Sequence, residues 1–239
     1  MKPYQQIPIA ENHEPLVAIP RDRVAFVTPH PYEKLGAPYG DRSPFSLRQS
    51  VCDRLLAAQT CLQKQHPDWR ILVFDAFRPV AVQDFMVEFS LKELAQERGL
   101  NPEDISLQQR QELLAWVHQF WAAPSLDPAT PPPHSTGGAI DVTLVDDRGE
   151  EIDMGSPIDE LSERSYPLHF ASSTDPQKKA YHQRRELLFS IMRSSGFQRH
   201  PQEWWHFCFG EQMWAWLTRE ETGDRSIVAR YGGILSVTP

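Results

Sequence analysis

His134-Ser135-Thr136-Gly137-Gly138-Ala139-Ile140-Asp141, answered near the C-terminus by Glu203-Trp204-Trp205-His206, is the pattern around which the chain is organised. Gly137 and Gly138 permit a tight turn, and the residues from Ala139 to Val145 alternate as in a strand. Ile140, Val142 and Leu144 then share one face while Asp141 and Thr143 share the other, so the Asp141 carboxylate leaves the apolar core face for a cleft. Two imidazoles, His134 and His206, with this carboxylate can hold Zn²⁺ by three protein bonds and leave a fourth position open, which marks a catalytic rather than a structural site. Glu203 is the spare carboxylate, a candidate general base that takes a proton and passes it to a leaving amine. Residues three apart on a regular strand face opposite sides, so Glu203 reaches the same metal as His206 only from a turn or bulge before the strand. Pro201 supplies the bend.

Upstream, Ile71-Leu72-Val73-Phe74 reads as a buried strand and runs into Asp75-Ala76-Phe77-Arg78-Pro79. The residue before a proline is pushed out of the helical region, so Arg78 is expected extended at the strand's end, its guanidinium free to polarise a carbonyl in a cleft. Pro79 is expected at the first position of the helix that follows, ending near Gly99. A second helix is expected from Asn101 as cap and Pro102 to about Phe120. Before the strand, Ser46 to about His66 shows helical apolar spacing closed by Pro67.

Residues 1–45 are rich in proline and read as a wrapping arm with one short strand near Val24–Val27, in which Tyr32 and Tyr39 are candidates for a pocket wall. Residues 124–133 carry five prolines and read as a stiff surface loop rather than a domain linker, since one metal has to be built from ligands that follow it. Farther on, Asp175-Pro176 caps a helix closed by Gly196, Phe197–His200 and Trp204–Phe209 read as strands, and a short helix is expected around Met213–Leu217.

At 239 residues the chain reads as one domain, and 40% hydrophobic with 23% charged residues is ordinary globular composition. A formal net charge of -8 disfavours nucleic acid, and no apolar run approaches a membrane span, so a small-molecule partner is expected. The N-terminus lacks a signal-peptide pattern, which predicts a cytoplasmic location. Cys52, Cys61 and Cys208 sit at no redox or metal-finger spacing and read as free thiols. His13, His30, His66, His118, His182 and His200 have no partner pattern and read as ordinary surface or core residues; His169 stays open.

The histidine motif, the Glu203-Trp204-Trp205-His206 run and Phe77-Arg78-Pro79 resemble those of the D-alanyl-D-alanine dipeptidases, as do Met154-Gly155-Ser156 with Asp159, Glu163-Arg164-Ser165 and Ser194-Ser195-Gly196-Phe197. The resemblance implies one zinc per chain held by His134, Asp141 and His206, Glu203 as general base and Arg78 steadying a tetrahedral oxyanion. It implies Asp159 pairing with the free amine of a small dipeptide and Tyr39 on the pocket wall. The implied fold is an α+β domain with a central antiparallel sheet flanked by helices, as in D-alanyl-D-alanine carboxypeptidases and the hedgehog signalling domain. One departure stands out: where such dipeptidases carry a substrate-binding serine two residues before the first histidine, this chain has Pro132, which offers no hydroxyl.

The leading expectation is hydrolysis of D-Ala-D-Ala to two D-alanines. A cell-wall carboxypeptidase or endopeptidase would use the same zinc chemistry in a more open cleft. A metal-holding binding module would have no need of both Glu203 and Arg78. A nonhaem iron oxygenase shares the ligand types, but the interval from His134 to Asp141 and the spare Glu203 favour hydrolysis.

Overall fold

The computed structural model describes residues 2–234. The proline-rich arm carries strands β1 (Leu16–Ala18) and β2 (Ala25–Phe26) and a one-turn helix, α1 (Pro31–Lys34). Strand β3 (Ser46–Arg48) pairs antiparallel with β1, so the helix expected from Ser46 begins only at Gln49, as α2 (Gln49–Gln65). Strand β4 (Arg70–Asp75) and helix α3 (Val80–Glu97) flank the Arg78-Pro79 step, with Pro79 as the cap residue rather than the first helical one.

The helix expected from Asn101 starts later, as α4 (Leu107–Val117). Asn101 accepts from the Glu103 backbone and donates to the Asp104 carboxylate at 2.6 Å, so its side chain closes a local turn. Ser106 and Gln109 then form the reciprocal cap that opens the helix. Downstream come β5 (Ala139–Val145), α5 (Pro176–Ser194), β6 (Gln198–Arg199), β7 (His206–Cys208) and α6 (Gln212–Thr222). Asp175 caps α5 as expected, accepting from the Gln177 and Lys178 backbones.

The main sheet has the order β2-β4-β5-β7-β6, antiparallel throughout except for the edge strand β2, which runs parallel to β4. Helices α2 and α5 cover it through Leu55, Ala58, Leu62, Leu188 and Ile191, which pack with Ile71, Val73, Ile140, Val142 and Leu144 in one core. Each such fully buried aliphatic side chain contributes about 1.5–3 kcal/mol. A second core joins α3 and α4 to Tyr32, Tyr39 and Trp121. The architecture is α+β, a central sheet flanked by helices. All three cysteines are free, and among the described residues no helix is long and apolar enough to cross a membrane.

The turn that delivers β5 depends on its glycines. Gly137 sits at φ 72°, and a Cβ there would come within 2.8 Å of the Leu16 side chain. At Gly138 a Cβ would lie 2.8 Å from the Phe209 carbonyl oxygen. Any larger residue at either position pushes β5 away from its neighbours.

Candidate active site

Sheet register builds the centre of the site. Asp75 on β4 lies opposite Asp141 on β5, and Asp141 lies opposite His206 on β7, so three strands place one polar row on the sheet. A register shift between Val73 and Asp75 brings Asp75 into that row. His134 arrives on a single 3-10 turn, Pro133–Thr136, immediately before Gly137. Its Nδ1 lies 2.7 Å from the Ala76 carbonyl. A carbonyl only accepts, so Nδ1 carries the proton and Nε2 turns a lone pair toward the cleft.

Nε2 of His134 lies 3.2 Å from Nδ1 of His206 and 3.3 Å from Asp141 Oδ2, and His206 Nδ1 is 3.1 Å from Asp141 Oδ1. All three side chains are buried, with candidate ligand atoms within 4.8 Å of one another. Asp141 Oδ1 is closed off from solvent yet makes no hydrogen bond. Leaving such an oxygen unpaired costs free energy that a cation would recover. Burial works to raise the Asp141 carboxyl, but His134 and His206 beside it outweigh that and hold it well below the usual carboxylate range. Burial lowers the His206 pKa, with Asp141 opposing, so the imidazole presents a neutral nitrogen. Two imidazole nitrogens and an ionised carboxylate suit a divalent metal, zinc included.

Glu203 stands in the turn before β7, where the spacing argument requires it. Its Oε2 is 3.6 Å from His206 Nδ1 and its Oε1 is 3.8 Å from His200 Nδ1. Burial, with Asp141 and Asp159 nearby, pushes its carboxyl well above the ordinary glutamate value, against the pull of Lys2 and Arg78. His200, read from sequence as an ordinary residue, lines the cleft; burial and the neighbouring His206 drive its pKa well below that of a free imidazole.

Arg78 is buried with its guanidinium in the cleft. Nε and Nη2 donate to Asp75 Oδ2 at 3.0 and 2.7 Å, Nη1 donates to Gln83 Oε1 at 3.0 Å, and Nη2 also reaches the Tyr32 hydroxyl at 3.3 Å and Asp141 Oδ2 at 3.4 Å. A guanidinium has five N–H groups, and this arrangement leaves one Nη1 hydrogen without an assigned acceptor.

Asp159 adopts the left-handed backbone region at φ 65°, uncommon for an aspartate, and accepts from the Tyr32 hydroxyl at 2.7 Å. Burial and the nearby Asp141 push its carboxyl up to about 7, while Tyr32 and Arg78 resist.

Tyr39 does not line this cleft. It is buried behind Arg78, where its hydroxyl donates to Asp75 Oδ1 at 3.1 Å, alongside His30 Nε2 at the same distance. Tyr39 with His30 braces the carboxylate that holds Arg78, and Tyr32 meets the cleft only through its hydrogen bond to Asp159. Asp75 was the residue sequence reading passed over, although its position three before Arg78 was the available signal. Lys2, Tyr4, Phe120, Trp121 and Leu161 complete the rim. The cavity is about 40 Å³, room for roughly three or four waters at about 10–15 Å³ each.

The family model described as "D-ala-D-ala dipeptidase" matches residues 26–222. A D-alanyl-D-alanine dipeptidase of Synechocystis sp. is 46% identical over 98% of this chain and 97% of its own length. Its counterparts in Escherichia coli and Enterococcus faecium align over shorter stretches, at 46% identity over 31% of this chain and 36% of theirs, and 42% over 33% and 37%. Among solved structures, an LD-carboxypeptidase studied for peptidoglycan recognition superposes with TM-score 0.45 at 16% identity, covering 88% of this chain and 75% of its own. With a candidate metal triad drawn from β5, β7 and the turn before β5, and a family match over most of its length, the chain belongs to the D-Ala-D-Ala dipeptidases, a family of metal-dependent peptidases.

Proposed function

We propose that the protein hydrolyses D-Ala-D-Ala to two D-alanines with one zinc per chain, held by His134, Asp141 and His206. The observation that carries this reading is the convergence of those three donors, with a solvent-excluded Asp141 oxygen left unpaired, beside a second carboxylate that stands free as a base. Zinc bound there polarises the scissile carbonyl and makes water a nucleophile near neutral pH.

The chain's own residues do the rest. Glu203, whose raised pKa suits a base that must hold a proton and give it up again, accepts the proton of the attacking water and delivers it to the leaving amine. The uncommitted Nη1 hydrogen of Arg78 faces the developing oxyanion. Asp159, steadied by Tyr32, pairs with the substrate's ammonium, whose arrival favours the ionised carboxylate. The substrate is a free dipeptide because a blocked amine would leave the Asp159 carboxylate uncompensated inside a small cavity.

The assignment is checked by kcat/KM for D-Ala-D-Ala and its N-acetyl form. Wild type is expected to prefer the free dipeptide by roughly 10²-fold or more, the scale of an unpaired buried charge of a few kcal/mol. In Asp159→Ala that preference should shrink. Equal wild-type rates on both would remove the dipeptidase assignment and favour a carboxypeptidase. Discrimination that survives in Asp159→Ala would move the ammonium site to another residue.

Metal content supplies a separate check. Purified protein is expected to hold one zinc per chain, and His206→Ala to lose both metal and turnover, since two ligands hold zinc far more weakly than three. Stoichiometric zinc with full turnover in that variant would overturn the ligand set.

A further inference from the structure

We propose that Lys2 receives the C-terminal carboxylate of the dipeptide, a role that rests on the dipeptidase reading above. A free dipeptide brings two charges into the cleft, and the ammonium has its partner in Asp159. The carboxylate has to enter a cavity already lined by Asp141, Asp159, Glu160 and Glu203. Only Lys2 and Arg78 supply lysine or arginine charge to that lining among the described residues. Arg78 is engaged by Asp75, Gln83, Tyr32 and Asp141, and its one remaining Nη1 hydrogen is assigned above to the oxyanion. Lys2 makes no ion pair within 4.0 Å with any carboxylate among the described residues.

Position favours the same role. Lys2 and Asp159 both line the cleft, but Asp159 is engaged by the Tyr32 hydroxyl and forms no ion pair with Lys2 within 4.0 Å among the described residues, so the two charges do not cancel each other. A substrate with an ammonium at one end and a carboxylate at the other matches that polarity. The segment bearing Lys2 is also anchored. Its backbone N–H donates to Gln5 Oε1 at 2.8 Å, and Tyr4 is buried with Ala139, Cys208 and Met213. Gln212 of α6 donates to the Ile7 carbonyl at 2.8 Å, and Ala10 bonds back to Ala229 at 2.8 Å. A lysine on a tethered backbone loses less freedom on binding than one on a loose terminus. Burial lowers the Lys2 pKa, and an incoming carboxylate would draw it back up.

The test compares D-Ala-D-Ala with D-alanyl-D-alaninamide, which keeps the ammonium and the scissile bond but lacks the carboxylate. In zinc-loaded wild type the free acid is expected to be preferred. In Lys2→Ala that acid-to-amide ratio of kcat/KM should fall roughly 10- to 100-fold, the range of one charge-assisted hydrogen bond, chiefly through KM for the acid. Lys2→Arg should keep most of the preference. An equal loss on acid and amide, carried by kcat, would show that Lys2 acts only through Glu203 and would overturn the assignment. An unchanged ratio in Lys2→Ala would overturn it as well. Wild type that cleaves neither compound would remove the dipeptidase reading and Lys2's role together, whereas an active wild type with an unaltered variant ratio removes Lys2 alone.

Discussion

Glu203→Ala is expected to keep its metal and lose on the order of 10² to 10⁴ in kcat, the usual share of a general base. The three ligand residues are untouched, so zinc content should match wild type. Glu203→Gln gives the same chemistry a stricter test, because the amide fills the same space yet cannot accept the proton. The pH dependence has a definite sign. In the proposed mechanism Glu203 works as the carboxylate, so wild-type activity should fall on the acid side as that carboxylate takes up its proton. That limb should vanish from the residual activity of Glu203→Gln.

Stability runs the other way. A carboxyl whose folded pKa is raised binds its proton more tightly in the native state than in the unfolded chain. Its contribution is fully present below the unfolded value and is lost as pH rises through the folded one. Removing that charge at neutral pH should therefore leave Tm of the metal-free Glu203→Gln protein at or above wild type, trading activity for stability. Near-normal kcat in both variants would take the base role away from Glu203.

Arg78→Ala is expected to lose about 10² to 10³ in kcat, as for a missing oxyanion donor. The substitution also strips Asp75 of its main partner. Burial works to raise the Asp75 carboxyl, and Arg78 together with His30 and His134 holds it below its usual range, so the variant leaves a buried carboxylate without its main cation, at about 3–5 kcal/mol. Arg78→Lys separates the two effects. It restores a positive charge but not the planar fork that engages Asp75, Gln83 and Tyr32 together, so it should recover stability more fully than rate. A folded, metal-loaded Arg78→Ala protein with near-wild-type kcat would show that the oxyanion is met elsewhere.

The grouping of His134, Asp141 and His206 was legible because its signals are local. A Gly-Gly turn and strand alternation put Asp141 on the cleft face, and Pro201 put Glu203 in a bend, as observed. Arg78 was legible for a similar reason, since the proline after it restricts its backbone. The brace behind it was not. Asp75, His30 and Tyr39 meet across 36 and 45 residues of chain, and no periodicity connects a histidine in a proline-rich arm to the end of a strand. Lys2 and Tyr4 were invisible on the same ground, because a terminal segment's docking depends on α6 and the far end of the chain. The helix expected at Asn101 shows a different failure. Asparagine, proline and acidic residues open a helix or close a turn with the same side-chain bonds, and here the turn wins, with Ser106 starting the helix.

The polar row formed by Asp75, Asp141 and His206 also bears on how the protein reaches its working state. Its members sit on three separate strands, and β7 joins the sheet only after α5 has been laid down between it and β5. The candidate ligands are spread from His134 to His206, so the cage is assembled by chain closure over long sequence distances, the slow kind of event in folding. A metal held by these residues would therefore be recruited by a nearly finished molecule rather than serving as a seed. Once captured, it would hold the two ends of that closure together and slow their parting more than their meeting.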